Sequence, residues 1–321
     1  IASSQLIFTA GGTEADNLIL INAVTNLEVT RIITSKIEHH AVLQTVEYLQ
    51  KENNVEVLYV NVNEFGTVDL VHLEELLAGS SKKTLVSLLY LNNEIGNILP
   101  TDTVCEICEK HKALFHSDTV QAIGHYKIDL QKTPIDFITA SAHKFHGPKG
   151  VGFMYYKKGL SVKPMLHGGA QEKGTRSSTE NVHSILGMEK ALEIGISNLQ
   201  SDVNYITDLK KYFISELSKI SNKITFNGLS SDLVKSSYTI LSVRFPVENK
   251  MFLFNLDLAG IAVSGGSACQ SGSNKGSHVL QAFLSKDEAK KTSVRFSFSK
   301  FTTKEELNFC LQKLASLLQA T

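Results

Sequence analysis

Short β-rich runs alternating with helical patterns constrain this chain more than any other feature of its sequence. Leu6–Thr9 leads into a helix from Thr13, Arg31–Thr34 into a helix from His40, and Thr84–Leu91 into a helix from Thr101, with a further run at Val55–Val60. Strands are also expected at Leu114–His116, Phe137–Ala140 and Val151–Tyr156. Parallel strands need crossovers long enough to hold a helix, so the alternation predicts βαβ units around a mainly parallel sheet. The fold class is α/β. From Glu180 to Ile220 the pattern turns continuously helical, with Ile185, Met188, Leu192, Ile196 and Leu199 at spacings of three and four. Strands at Ser237–Arg244 and Ser293–Phe298 then alternate with helices. This predicts a large domain over residues 1–198 and a smaller C-terminal α+β domain over 199–321.

Composition removes several classes. The chain carries 32 Lys+Arg against 32 Asp+Glu, which leaves no basic footprint for phosphate neutralisation, so nucleic acid is not an expected partner. No apolar run approaches the roughly 20 residues that span a bilayer, and Ile1–Thr9 lacks the pattern of a signal peptide. The chain has no Asn-x-Ser/Thr sequon, and its four cysteines are too few to staple a chain of 321 residues. A reducing, cytoplasmic setting is expected. Cys105 and Cys108 form a C-x-x-C inside a helical pattern, where ordinary helix thiols are expected rather than a redox or zinc pair. No metal centre is expected.

Six segments carry chemistry. In Phe8-Thr9-Ala10-Gly11-Gly12-Thr13 a strand runs through two glycines into a helix start, an arrangement that offers backbone N–H groups to an anion such as phosphate and that also begins ordinary helices. In Asp136–Gly152 a strand ends in Ser141-Ala142-His143-Lys144 before a Gly/Pro loop. Lysine at the end of a buried strand can have a lowered pKa and act as a Schiff-base amine; alternatively it is a surface lysine. His116-Ser117-Asp118-Thr119-Val120-Gln121 places an acid and an amide at another strand end, where the acid can pair with a pyridinium nitrogen. Glu38-His39-His40 and Asn92-Asn93-Glu94 add an imidazole and an amide after earlier strands. Finally, Cys269 lies in residues 264–277, where nine of fourteen are Gly or Ser. Such a tether lets a thiol travel, unless the cysteine is incidental to a linker.

Together these segments resemble the cysteine desulfurases, pyridoxal phosphate enzymes in the class V aminotransferase group. FTAGGTEADN, EHHAVL, NNEIG, HSDTVQAIG, SAHKFHGPKGVG, HGGAQEKGTRSSTEN, GIAVSGGSACQSG, SHVL and VRFSFSKFTTKEE occur in family order from about Leu6 to Glu306. The resemblance implies fold type I, with a seven-stranded-type sheet flanked by helices, and a mobile cysteine loop over 264–277 of the long-loop subgroup. It implies that Lys144 joins the cofactor covalently and later moves the substrate Cα proton. Asp118 would pair with the pyridine nitrogen, Gln121 with the phenolic oxygen, and His39 would stack on the ring. Gly12, Thr13, Ser141 and His143 match phosphate-binding positions, and Thr179 the residue that reaches the phosphate across a homodimer interface. Arg295 matches the arginine that grips the substrate carboxylate, with Asn93 completing the site.

The implied reaction converts L-cysteine to L-alanine, with sulfur captured on Cys269 as a persulfide and passed to an acceptor such as an iron–sulfur scaffold or sulfur-carrier protein. Selenocysteine lyase and other aminotransferase-like enzymes are the enzymatic alternatives. Family members usually carry a further N-terminal segment with a DNAATT-like strand, which this sequence lacks; a truncated, non-catalytic scaffold is therefore the other alternative. Lys173 stands where arginine is commoner, and Ser178 replaces a usual glycine.

Overall fold

The computed structural model describes residues 2–266 and 276–319, and divides them into two compact units. The first comprises residues up to 61, 68–90 and 99–199; the second comprises 62–67, 91–98 and those from 200 onward. The expected division at 198/199 was contiguous. The structural one is not, because the segments 62–67 and 91–98 pack with the C-terminal unit. Asn97 shows why: its amide donates to the Phe65 and Gly66 carbonyls at 2.8 and 3.1 Å, and its carbonyl oxygen accepts from Leu229 N at 2.9 Å.

The first unit is built on seven strands: β1 (Leu6–Thr9), β2 (Arg31–Ser35), β3 (Glu56–Val60), β4 (Thr84–Ser87), β5 (Leu114–Asp118), β6 (Phe137–Ser141) and β7 (Gly152–Tyr156). Their order in the sheet is β1-β7-β6-β5-β4-β2-β3. Every pair from β6 to β3 is parallel, whereas β7 runs against both neighbours. The short link after β6 holds no helical crossover, so β7 returns antiparallel. β2, β4 and β6 are buried along their whole length, as strands covered on both faces must be. Helices α1 (Gly12–Thr25) and α2 (His40–Asn53) cover one face through Leu18, Ile19, Val42 and Val46 against Ile32, Leu85 and Phe137. Helices α3 (Leu70–Ala78) and α4 (Thr101–Lys110) cover the other through Leu73, Leu77 and Val104 against Ile33, Val86 and Phe115. Cys105 and Cys108 belong to this second layer, and burial pushes the Cys105 thiol up to about 12 and the Cys108 thiol higher still.

The expected strand Thr84–Leu91 stops at Ser87, where the chain leaves regular pairing. The long helical pattern forms one helix, α5 (Val182–Ile220). In the second unit its C-terminal half buries Ile206, Leu209, Phe213 and Leu217. This unit also holds the antiparallel sheet β8 (Thr225–Phe226), β9 (Ile240–Arg244) and β10 (Ser293–Ser297), in the order β10-β9-β8. Its other helices among the described residues are α6 (Phe252–Leu258), α7 (His278–Gln281), α8 (Lys286–Lys290) and α9 (Lys304–Gln319). Among the described residues, no helix is long and apolar enough to cross a membrane.

Candidate active site

The C-terminal ends of β1, β2, β5 and β6 all open on one edge of the sheet, where open α/β sheets bind ligands. At the end of β1, Gly11 begins α1 without any side-chain cap, so the first-turn N–H groups remain available. Gly12 leaves room that a side chain would not: a Cβ there would meet Val120 Cγ2 at 2.6 Å and force Val120 to shift. Gly12, Thr13, Ser141 and His143 line one open cavity of about 680 Å³, together with Asn17 and Lys149. Ser141 Oγ and His143 Nδ1 are hydrogen bonded at 2.9 Å. Burial and the neighbouring Lys144 and Lys149 hold His143 below its ordinary pKa. Helix dipole, free N–H groups, a hydroxyl and nearby cations make this an anion cradle.

The cradle is braced through Glu14, which also lines the cavity. Glu14 accepts from Ala10 N at 2.7 Å and takes a two-point contact from Arg176, at 2.9 Å through Nε and 3.3 Å through Nη2. Arg176 escaped the sequence reading, because its acidic partner lies 162 residues away and no local pattern links them.

The acid lies deeper. β5 alternates faces, so Leu114, His116 and Asp118 point to one side and Phe115 and Ser117 to the other. Asp118 is 4% exposed. Its Oδ1 accepts from Val120 N at 2.9 Å and Thr139 Oγ1 at 3.3 Å. Burial and the neighbouring Asp16 push it up to about 6, offset by Val120 N–H, His39 and His116. His39 is the N-cap of α2, with Nδ1 accepting from Ala41 N at 3.2 Å, and polar atoms of Asp16, His39 and Asp118 lie within 4.8 Å of one another. Gln121 follows in the turn after β5, half-buried. Lys144 is half-buried in the single turn Ala142–Phe145 that ends β6, and its carbonyl is bonded to His125 Nε2 at 2.8 Å.

Asp16 and Glu38 were not singled out from sequence, yet both carboxyls are buried beside Asp118. Burial pushes Asp16 up to about 8 and raises Glu38 well above the carboxylate range, although Ser35 Oγ donates to Glu38 at 2.6 Å. The available signal was helical spacing, since Gly12, Asp16, Ile19 and Ala23 recur on one buried stripe of α1.

Other expected site residues stand elsewhere. Thr179 is exposed in the loop before α5 and does not line the cradle cavity. Asn93 and Arg295 belong to the second unit, where Arg295 Nη1 donates to the Asn93 carbonyl at 2.7 Å. Cys269 and most of its loop lie outside the described residues.

Comparison with known proteins shows the family and the fold. The model of the class-V aminotransferase family matches residues 1–309. A cysteine desulfurase IscS from Dictyoglomus turgidum is 39% identical over 99% of this chain and 80% of its own length. A NifS-like protein of solved structure superimposes with a TM-score of 0.90 at 35% identity, covering 100% of this chain and 84% of the other. SspA, solved in complex with cysteine, gives a TM-score of 0.74 at 30% identity over 94% of this chain and 83% of its own.

Proposed function

The chain belongs to the cysteine desulfurases of the class-V aminotransferase family, and on that premise we propose how its residues divide the work of taking sulfur from L-cysteine. The observation that carries the reading is that an anion cradle, a buried acid, an imidazole and a lysine all stand at the C-terminal ends of β1, β2, β5 and β6, on one edge of the sheet. Pyridoxal 5′-phosphate fits this donor set. When bound, it supplies an electron sink for the charge left on the substrate Cα.

The N–H groups of Gly12 and Thr13, with the side chains of Thr13, Ser141 and His143, hold the phosphate. The Asp118 carboxylate meets the ring nitrogen, the Gln121 amide meets the ring hydroxyl, and His39 covers a ring face. The Lys144 amine would hold the cofactor covalently and, once free, would carry the substrate Cα proton. The Arg295 guanidinium, whose planar fork suits a carboxylate, orients L-cysteine with help from Asn93. Cys269 attacks as a thiolate on the substrate sulfur: the S–S bond forms as the Cβ–S bond breaks, and the protonated carbon fragment leaves as L-alanine. The resulting persulfide passes to an acceptor of the iron–sulfur scaffold or sulfur-carrier type. The enzyme works as a homodimer in which Thr179 reaches the phosphate of the partner subunit. Free, buried Cys105, Cys108 and Cys310 suit a reducing cytoplasm.

Mass spectrometry after adding L-cysteine tests the reading. One sulfur atom gained on Cys269, with one alanine released, is expected, and borohydride should fix a pyridoxyl group on Lys144. Folded, cofactor-loaded protein that gains no sulfur refutes it.

A further inference from the structure

Behind Asp118 lies a pair that the reaction scheme does not use. His116, on the same face of β5, is fully buried, and Asp16 of α1 is 1% exposed. His116 Nε2 lies 3.5 Å from Asp16 Oδ1, and neither atom has a hydrogen-bond partner. The opposite ring nitrogen, Nδ1, is bonded to Ser87 Oγ at 2.9 Å, which fixes the orientation of the imidazole. Thr139 Oγ1 reaches Asp118 at 3.3 Å and also contacts Asp16, so it links the pair to the acid. Two fully buried polar atoms facing each other, neither with a hydrogen-bond partner, invite a shared proton.

We propose that Asp16 and His116 are a positioning pair: one proton held between the Asp16 carboxyl and His116 Nε2 keeps both side chains uncharged and leaves Asp118 as the carboxylate that meets the ring nitrogen. The inference rests on the reading that pyridoxal phosphate binds against Asp118. In this arrangement His116 Nδ1–H donates to Ser87 Oγ and the Asp16 hydroxyl faces Nε2.

The electrostatics support it. The groups facing Asp16 are His116 and Asp118 on β5, Thr139 on β6, and Glu38 and His39 ahead of α2. Three carboxyls in one low-dielectric pocket do not all ionise. Burial raises Asp16 to about 8 and lowers His116 to about 4, while Asp118 rises only to about 6. Between those limits Asp16 keeps its proton and His116 stays neutral. Ionised Asp16 would instead set a second negative charge beside Asp118, making the acid harder to ionise and weakening its grip on the ring nitrogen.

The test is a pH titration of the visible absorbance of the pyridoxal phosphate holoenzyme, beside cofactor affinity. The wild type should show an alkaline transition near pH 8 as Asp16 ionises. Asp16→Asn, which cannot ionise, should lose that transition and hold the cofactor within about threefold of the wild type. His116→Gln, whose amide N–H favours the ionised carboxyl, should move the transition to lower pH. An unchanged transition in Asp16→Asn, or folded Asp16→Asn that binds cofactor more than about tenfold more weakly, overturns the proposal. Nitrogen NMR of His116 in the wild-type holoenzyme needs no variant: a neutral ring between about pH 6 and 8 is expected, and an imidazolium overturns the pair. Wild type that binds no pyridoxal phosphate, or Asp118→Asn with unaltered affinity and spectrum, removes the proposed function and this inference with it.

Discussion

Ser178 has a φ of 121°, a region that side-chain-bearing residues rarely adopt and glycine enters freely. Replacing the exposed serine by glycine therefore relieves strain, and Ser178→Gly should gain roughly 1 kcal/mol in denaturant unfolding. A second expectation follows from His116. Its folded-state pKa is depressed from 6.5 to about 4 by burial, so the unfolded chain takes up a proton that the folded one refuses. The stability this group contributes is complete above pH 6.5 and is lost as pH falls towards 4, with a slope of up to about 1.4 kcal/mol per pH unit. His116→Gln should flatten that acid limb; an identical limb in the variant would show that other groups produce it. At this scale the sequence was informative about position at strand ends, as at Asp118 and Lys144. It was silent on Arg176 and on the partner of Asp16: helical spacing marks Asp16 as lying on a buried stripe, but a polar residue in a helix or loop gives no sign of the distant group that pairs with it.

Among the elements, α5 best shows pattern turning into structure. Its apolar spacing marks a helix, but the sequence does not say which sheet its C-terminal half covers. In the second unit Phe213 packs edge-on against Phe296 and Phe298, with ring centroids 5.0 and 5.8 Å apart. Phe213 has no solvent exposure, so Phe213→Ala should cost about 3–5 kcal/mol, read as a lower denaturant midpoint at unchanged activity per folded molecule. Strand and helix starts were legible where a local signal exists: β1 occupies Leu6–Thr9 as expected, and α4 starts at Thr101. β4 is shorter than its apolar run because an apolar stretch records burial, and Leu88 and Leu91 are buried without continuing the strand. β7 shows the converse, since its orientation comes from the short link before it rather than from its own residues.

For the molecule as a whole, cofactor should stabilise by mass action. Pyridoxal phosphate at a hundred times its dissociation constant should add about 2.7 kcal/mol. In hydrogen exchange the added protection should fall on residues 10–16, 117–122 and 140–146 of the first unit, with residues 204–220 unchanged. Protection spread evenly along the chain would contradict a cofactor held at those strand ends. The sequence by itself determined the α/β class, the order of the chemistry-bearing segments and their family, because periodicity, glycine turns and motif order are properties of neighbouring residues. Only the tertiary structure decided that 62–67 and 91–98 join the second unit, that Glu14 braces Arg176, and that Asp16 lies sealed against His116. Those outcomes depend on which distant surfaces exclude water from one another, and burial of that kind is a property of the packed chain rather than of any stretch of it.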